Sequence, residues 1–550
     1  MISALIKTNN HKIAVLALIT FLCFINVVKN GYSLDDHMVT TAEHALVSKG
    51  FGGIKEIFTS NYSSVAGKSF EYRPIAVATF AIEYQIWGFN PKLSHLVNLL
   101  FYILLVILVF KVLLRLLPSQ AEAVFGISLI FALHPLHNEV VVSLKNREEI
   151  LVAIFGFLCF RSLLIHLQTK QNKALLASCL FFLLGSFTKL TIDPFGFLVV
   201  FSAWYFGKGS VKKLVIVFVM YTLLSQLFYW TGYAFLSKGF NRTFDVIENP
   251  LTQVAFFDRI PAALGVLVHY IKLFIWPNPL ISYYGLGAVP ISGWGDVYFF
   301  VGLCIVVCAI VVFVKQVKSR SLLGYGIVIF LFLLTTYLNF PVLAPGIMAE
   351  RLAFLAVLGF SVMVIALANR YLKQPQVQLG LIVLSMVYIL VNINRTPEWN
   401  SLTSLLEADT QKGVNSVKLF TALAENYHAL AGKETNDAVL RENYLKKAES
   451  GYLKAIEIYP QHGGAYNNLG TLYASIGKFN QAETCLVKAI QLGYASADVY
   501  YNLGAIYELS GKYDLAKQYY YKCLGVNSGY VQASERLMVI AQQEQVSTNK

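Results

Sequence analysis

SHLVNLLFYILLVILVFKVLLRLL, residues 94–117, decides the fold class. His95, Lys111 and Arg115 are the only basic residues in this stretch, it has no acidic one, and nothing in it breaks a helix. It is far longer than a buried strand of about 4–8 residues, so the reading is helical. At about 1.5 Å per residue it exceeds the roughly 30 Å of bilayer hydrocarbon. This is a membrane helix.

The rest of the chain fits that reading. The protein has 550 residues, 56% hydrophobic and 14% charged, with mean hydropathy +0.57. A soluble domain averages about 45–50% apolar and about 25% charged residues, so an ordinary soluble enzyme is excluded. The net charge of +13 is scattered between apolar runs rather than gathered in a stripe, which argues against a nucleic-acid surface. The seven cysteines show no CxxC pair, so neither a disulfide framework nor a zinc site is expected.

Apolar runs recur at 12–28, 94–117, 121–142, 149–167, 174–188, 191–206, 214–234, 296–314, 321–341, 352–369 and 377–393. These are read as eleven crossings, the first uncleaved because no small-residue cleavage site follows it. With the N-terminus in the cytosol, the connections bearing Lys111 and Arg115, Lys170 and Lys173, Lys208 with Lys212 and Lys213, Lys315 with Lys318 and Arg320, and Arg370 with Lys373 all fall inside, as the positive-inside rule requires. A crossing at 257–276 would invert the later loops, so that stretch is read as in-plane or re-entrant. The loop 30–93 and everything beyond 394 then lie outside the cytosol, in a periplasm or an ER lumen.

Beyond residue 394 the composition changes and a period appears. Tyr466, Leu469, Gly470, Tyr473, Gly477 and Ala482 recur 34 residues later as Tyr500, Leu503, Gly504, Tyr507, Gly511 and Ala516. A 34-residue period of this kind is that of tetratricopeptide repeats, two helices per unit. Working back, a first unit begins near Phe420, Leu423 and Tyr427 and carries a 12-residue insertion at roughly 431–442. The expected organisation is therefore a polytopic, all-α membrane domain over 1–394, a connection over 395–414, and about three repeats over 415–550. Such arrays offer a groove for a peptide or protein partner.

Ionisable residues at the ends of membrane helices are costly and point to function. Asp35 and Asp36, just past the first helix, suit a general base or a cation site. Arg73, in Glu71-Tyr72-Arg73-Pro74, suits a bidentate phosphate clamp or an interfacial anchor; His95 stands at the entry of the second helix. In HPLHNEVVVSLKNREE, residues 134–149, His134, His137 and Glu139 have the spacing of metal ligands, although Pro135 interrupts the turn. Lys145, Arg147, Glu148 and Glu149 follow. Glu350 and Arg351 open the tenth apolar run as an ion pair or a substrate contact. All four clusters fall on one side of the expected topology, as a membrane-embedded site for a lipid-borne anionic group would.

These motifs together resemble the transmembrane and tetratricopeptide repeat-containing family, relatives of the protein O-mannosyltransferases among the GT-C glycosyltransferases. The likeness rests on Asp35-Asp36, on Tyr72-Arg73-Pro74 with His95 and Asn98, on His134-Pro135, His137 and Glu139 followed by Asn146-Arg147, and on Ala349-Glu350-Arg351 with Leu355. The chain departs from the family pattern at Lys189-Leu190, where a Lys-Glu pair is expected, and at Asn146, where Gly is expected. The resemblance implies transfer of a sugar, most simply mannose, from a polyprenyl-phosphate donor to a Ser or Thr hydroxyl of a protein. It implies Asp35 or Asp36 as base, with Asp35 favoured as nearer the membrane, and Arg73, Arg147 and Arg351 as phosphate contacts. No cofactor is indicated beyond the polyprenyl-phosphate sugar as donor, and a divalent metal on His134, His137 and Glu139 is the less favoured alternative. Two alternatives share the sequence features: a GT-C transferase or ligase acting on lipid or envelope polysaccharide, and a non-catalytic membrane-anchored repeat scaffold.

Overall fold

The computed structural model describes residues 8–40, 44–60, 64–65, 68–69, 72–235, 244–340, 342–434 and 437–548; Glu71 of the second cluster lies outside them. The described chain is all-α apart from a two-residue antiparallel pairing, Ser64–Val65 with Lys68–Ser69. It folds as two compact units: Met1–Tyr284 with Ile291–Leu405, and Gly285–Pro290 with Leu406–Lys550.

The longer helices of the first unit are α1 (Asn9–Phe24), α2 (Pro74–Trp87), α3 (Pro91–Leu116), α4 (Ala121–Leu133), α5 (Arg147–Thr169), α6 (Asn172–Ser186), α7 (Asp193–Tyr205), α8 (Val211–Phe235), α9 (Arg259–Ile275), α10 (Val297–Gln316), α11 (Leu322–Thr335), α12 (Ala356–Tyr371) and α13 (Gln374–Arg395). Each of the eleven apolar runs coincides with one of them or with a bent pair. Among the described residues six helical segments can cross a membrane unaided by length and composition, and seven if the bent pair counts as one span; four further apolar helices have 10–17 residues. The protein is a multi-pass membrane protein.

The starts of the helices follow local chemistry. On α3, Pro91 occupies the first turn and the Asn90 side chain accepts the Leu93 N–H at 3.3 Å, so two of the unpaired N-terminal groups are absent or capped. The break after α4 has an equally local cause. Pro135 cannot donate to the ladder and pushes His134 out of helical geometry; the chain bends by 52° before Pro135–Val142. The stretch at 257–276 forms one unbroken helix, α9, with Pro261 in its first turn.

The second unit is a stack of helix pairs: α14 (Val417–Lys433) with α15 (Ala438–Ile458), α16 (Gly463–Ser475) with α17 (Phe479–Gln491), and α18 (Ala497–Leu509) with α19 (Tyr513–Val526), closed by α20 (Val531–Thr548). A Cβ on Gly470 would come within 2.8 Å of Leu486, and one on Gly504 within 2.6 Å of Tyr520, so both glycines set how closely a pair packs. Gly477 and Gly511, 34 residues apart, turn the chain at φ +75° and +74°, where a side chain would be strained. The first pair has helices of 17 and 21 residues where the next has 13 and 13. Within the described residues these two helices are together twelve residues longer than the next pair; residues 435–436 of the expected insertion lie outside them.

Candidate functional site

The acidic loop after α1 splits into two unlike carboxylates. Asp36 is 1% exposed. Its Oδ1 accepts the Lys145 N–H at 2.9 Å and the Ser143 hydroxyl at 3.2 Å, and its Oδ2 accepts the Ser33 N–H at 3.1 Å. Asp36 therefore bolts the loop to the turn before α5. Burial outweighs these donors and pushes its carboxyl up to about 6. Asp35 is exposed and forms no hydrogen bond among the described residues. Its charge acts on Lys145 and Arg351. One acid is committed to structure, and its neighbour is open.

An acid whose native value lies above its unfolded value holds more protons when folded, so its contribution is full below about pH 4 and is lost as pH rises through about 6. The stability of the wild type relative to Asp36→Asn should fall by roughly 2–3 kcal/mol between pH 4 and pH 7. The readout is the gap between their thermal midpoints in detergent. A gap constant across that window would show that Asp36 is not buried as described.

Behind the acidic loop lies a charged layer built from four segments. The side chain of Glu148, in the first turn of α5, is wholly buried and pairs with three cations: Arg73 at the start of α2, Lys145 at 3.6 Å, and Lys189 past the end of α6 at 2.8 Å. Lys189 also reaches Glu149 at 2.5 Å. From the far end of the chain, Arg351 binds Glu139 at 2.6 Å, and its N–H reaches the same carboxylate at 2.9 Å. Glu139 holds the Arg351 guanidinium charged against the burial that would lower its value. The side chains of Arg73, Lys145, Lys189 and Arg351 retain 11–19% of their exposure.

Arg147 is different. It is 0% exposed, and every nitrogen is committed: Nη1 to Glu83 at 2.5 Å and Thr79 at 3.2 Å, Nη2 to the Ser94 carbonyl at 3.0 Å, Nε to Asn98 at 3.4 Å. The guanidinium stacks on Phe80 at 3.9 Å. In this arrangement Arg147 is a brace joining α2, α3 and α5.

The histidines are also spent on structure. His95 donates to the Gly31 carbonyl at 3.0 Å. His134 donates to the Phe274 carbonyl at 3.0 Å and accepts the Leu136 N–H at 3.2 Å. His137 donates to the Phe354 carbonyl at 2.9 Å, with its other ring nitrogen 2.7 Å from the Tyr102 hydroxyl. Both nitrogens of His134 and of His137 are thus engaged, and Glu139 serves Arg351. Among the described residues no three His, Cys, Asp or Glu side chains gather as metal ligands; the residues singled out by spacing do not fit a metal. Glu350 is buried and accepts a hydrogen bond from the Tyr284 hydroxyl at 3.2 Å.

Sequence reasoning gave no role to Glu83 and treated Lys189 only as a departure from a motif. Glu83 had a signal: a lone carboxylate within the apolar helix Pro74–Trp87 must have a partner. Lys189 had none, since its partners lie 40 and 41 residues earlier.

Residues 497–530 and 452–484 match two tetratricopeptide repeat family models. Over 466 residues the chain is 22% identical to "Protein O-mannosyl-transferase TMTC3" of Homo sapiens, an alignment covering 75% of this chain and 47% of that protein. It is 25% identical over 433 residues to TMTC4 of Homo sapiens, covering 67% and 57%. It is 26% identical over 284 residues to Tmtc2 of Drosophila melanogaster, covering 50% and 30%. The chain spans about half the length of the curated relatives it matches first. The likeness to the transmembrane and tetratricopeptide repeat-containing family read from the motifs is borne out.

Proposed function

We propose that this relative of the TMTC proteins is a membrane-embedded glycosyltransferase that moves a sugar, mannose by the relatives' names, from a polyprenyl-phosphate donor to a Ser or Thr hydroxyl of a protein. The observation that carries the reading is one exposed carboxylate, Asp35, within electrostatic reach of Lys145 and Arg351, set over a layer of partly open cations. In this reaction Asp35 takes the proton of the acceptor hydroxyl as its oxygen bonds to the anomeric carbon. The bond from that carbon to the phosphate oxygen breaks, and the phosphate leaves with the charge. Arg73, Lys145, Lys189 and Arg351 stabilise that charge without having to reorganise. Glu148 and Glu149 keep Arg73, Lys145 and Lys189 together, and Glu139 holds Arg351, when no phosphate is present.

Orientation belongs to the same proposal. By the distribution of basic loops the N-terminus is cytosolic, and α9, Asp35 and the repeats all lie on the opposite, non-cytosolic side. The repeats would supply binding to parts of the acceptor remote from the reacting hydroxyl.

The test is sugar incorporation from a polyprenyl-phosphate mannose donor by purified protein. Transfer to a folded protein acceptor is expected to be lost on deleting 415–550, while transfer to a short Ser/Thr peptide persists at a reduced level. Incorporation only into glycan acceptors, with full-length and truncated protein alike, would refute protein glycosylation in favour of polysaccharide modification.

A further inference from the structure

Far from Asp35, the membrane bundle contains an apolar cleft of about 510 Å³ between α1, α4, α12 and α13. Its volume lies in the range of small-molecule sites, roughly 300–1,000 Å³. Val15 and Ile19 line it from the first part of α1, whereas Asp35 follows the other end of that helix. The cleft and the proposed sugar-transfer site therefore occupy opposite ends of the bundle.

The lining has a direction. Glu122, Asn369, Gln374 and Gln378 sit where α4 begins, α12 ends and α13 begins, and together they make a polar mouth. Below it the lining residues are apolar apart from Ser385. Along α13 the lining runs from Gln374 to Ile389, about 22 Å at roughly 1.5 Å per residue. That exceeds half of a hydrocarbon core about 30 Å thick. The wall is not sealed: Met386 is 59% exposed, and Leu381 and Ile382 are half-buried, so the cleft opens sideways at the depth of acyl chains. A long, narrow, apolar space with one polar end fits a lipid tail hung from its headgroup.

The mouth also selects a headgroup. The Lys12 ammonium is buried, 5% exposed, and lies 2.5 Å from one oxygen of Glu122, whose side chain is 68% exposed. The carboxylate therefore stands at the surface with its outward side free to meet a cation. Arg370, in the last turn of α12, and Lys373, in the turn before α13, are exposed and adjoin in sequence the mouth residues Asn369 and Gln374, so positive charge stands at the same end of the cleft. An anion flanked by cations complements a headgroup that carries a phosphate and a primary ammonium.

We propose that the cleft between α1, α4, α12 and α13 holds one acyl chain of a bilayer aminophospholipid, its ammonium on Glu122 and its phosphate towards Arg370 and Lys373. The lipid comes from the leaflet opposite the sugar-transfer site and ties the bundle's first membrane helix to its last. This site is independent of the proposed reaction.

The test uses the full chain in nanodiscs of equal phosphatidylethanolamine and phosphatidylglycerol, released into a native mass spectrometer at a collision energy that strips loosely bound lipid. One retained phospholipid per chain is expected, with phosphatidylethanolamine favoured by about two- to five-fold, as for a single exposed charge contact. Glu122→Gln should equalise the two headgroups while keeping the lipid. Ser385→Trp, filling the cleft, should cut retention by roughly tenfold or more, because several methylenes lose their burial. Gln378→Trp, at the half-exposed mouth, is a second plug should the deeper one misfold. Unchanged retention in the folded plug variants, absence of any retained phospholipid, or a polyprenyl phosphate as the retained species would each overturn the proposal.

Discussion

Replacing Asp35 by Asn is expected to lower sugar transfer by roughly 10²–10⁴-fold, the usual worth of a positioned general base, while leaving the fold intact. The asymmetry between the two acids makes this a sharp expectation. Asp35 is exposed and forms no hydrogen bond among the described residues, so its amide disturbs no packing. Asp36 accepts three hydrogen bonds, and an amide there would turn a donor towards either Ser33 or the Ser143–Lys145 turn. Asp36→Asn should therefore lower the thermal midpoint, and any loss of activity should follow that loss of structure. Measuring kcat and thermal midpoint for both variants separates the roles. If folded Asp35→Asn transfers sugar near the wild-type rate, Asp35 is not the base.

The second large effect concerns stability. Arg147→Met should cost about 3–5 kcal/mol, because it strands a buried carboxylate, Glu83, without its cation. Glu83 and Arg147 are 5% and 0% exposed, so water can replace neither partner. Arg147→Lys should not restore the loss, since an ammonium cannot span Glu83, Ser94 and Asn98 together as the guanidinium fork does. Removing both charges is the informative variant. The double substitution Arg147→Met with Glu83→Leu should recover most of the stability, as apolar replacement of a buried pair commonly does. Once folded, it should still transfer sugar. A stable double variant that binds donor much more weakly would return Arg147 to the role of phosphate contact that the motif suggested.

The architecture was legible because its signals are local. Each apolar run could be read over some twenty residues, the 34-residue period needed only two copies, and Pro135 announced its own bend. The twelve-residue insertion was legible in length but not in form. Whether extra residues loop out or lengthen two helices depends on whether the added turns find a packing partner, and the spacing of Tyr427 and Ala448 does not say.

The site was legible as a neighbourhood rather than as a set of roles. The motifs named from sequence supply most of the charged layer described above, yet their chemistry divides in ways the motifs did not indicate. His134 and His137 had metal-like spacing but point to backbone carbonyls of Phe274 and Phe354, 140 and 217 residues away. Arg73 and Arg147 looked equivalent, yet the side chain of Arg73 is 11% exposed and that of Arg147 is fully buried.

By itself the sequence determined a polytopic helical membrane domain followed by a helical repeat array, because hydrophobic length and periodicity act through neighbours a few residues apart. Tertiary structure alone decided which charges are braces and which remain available. Arg147 is neutralised by Glu83, 64 residues earlier, and Arg351 by Glu139, 212 residues earlier. In a bundle shielded from water, the availability of a charge depends on which opposite charge packs against it, and the chain settles that only when it folds.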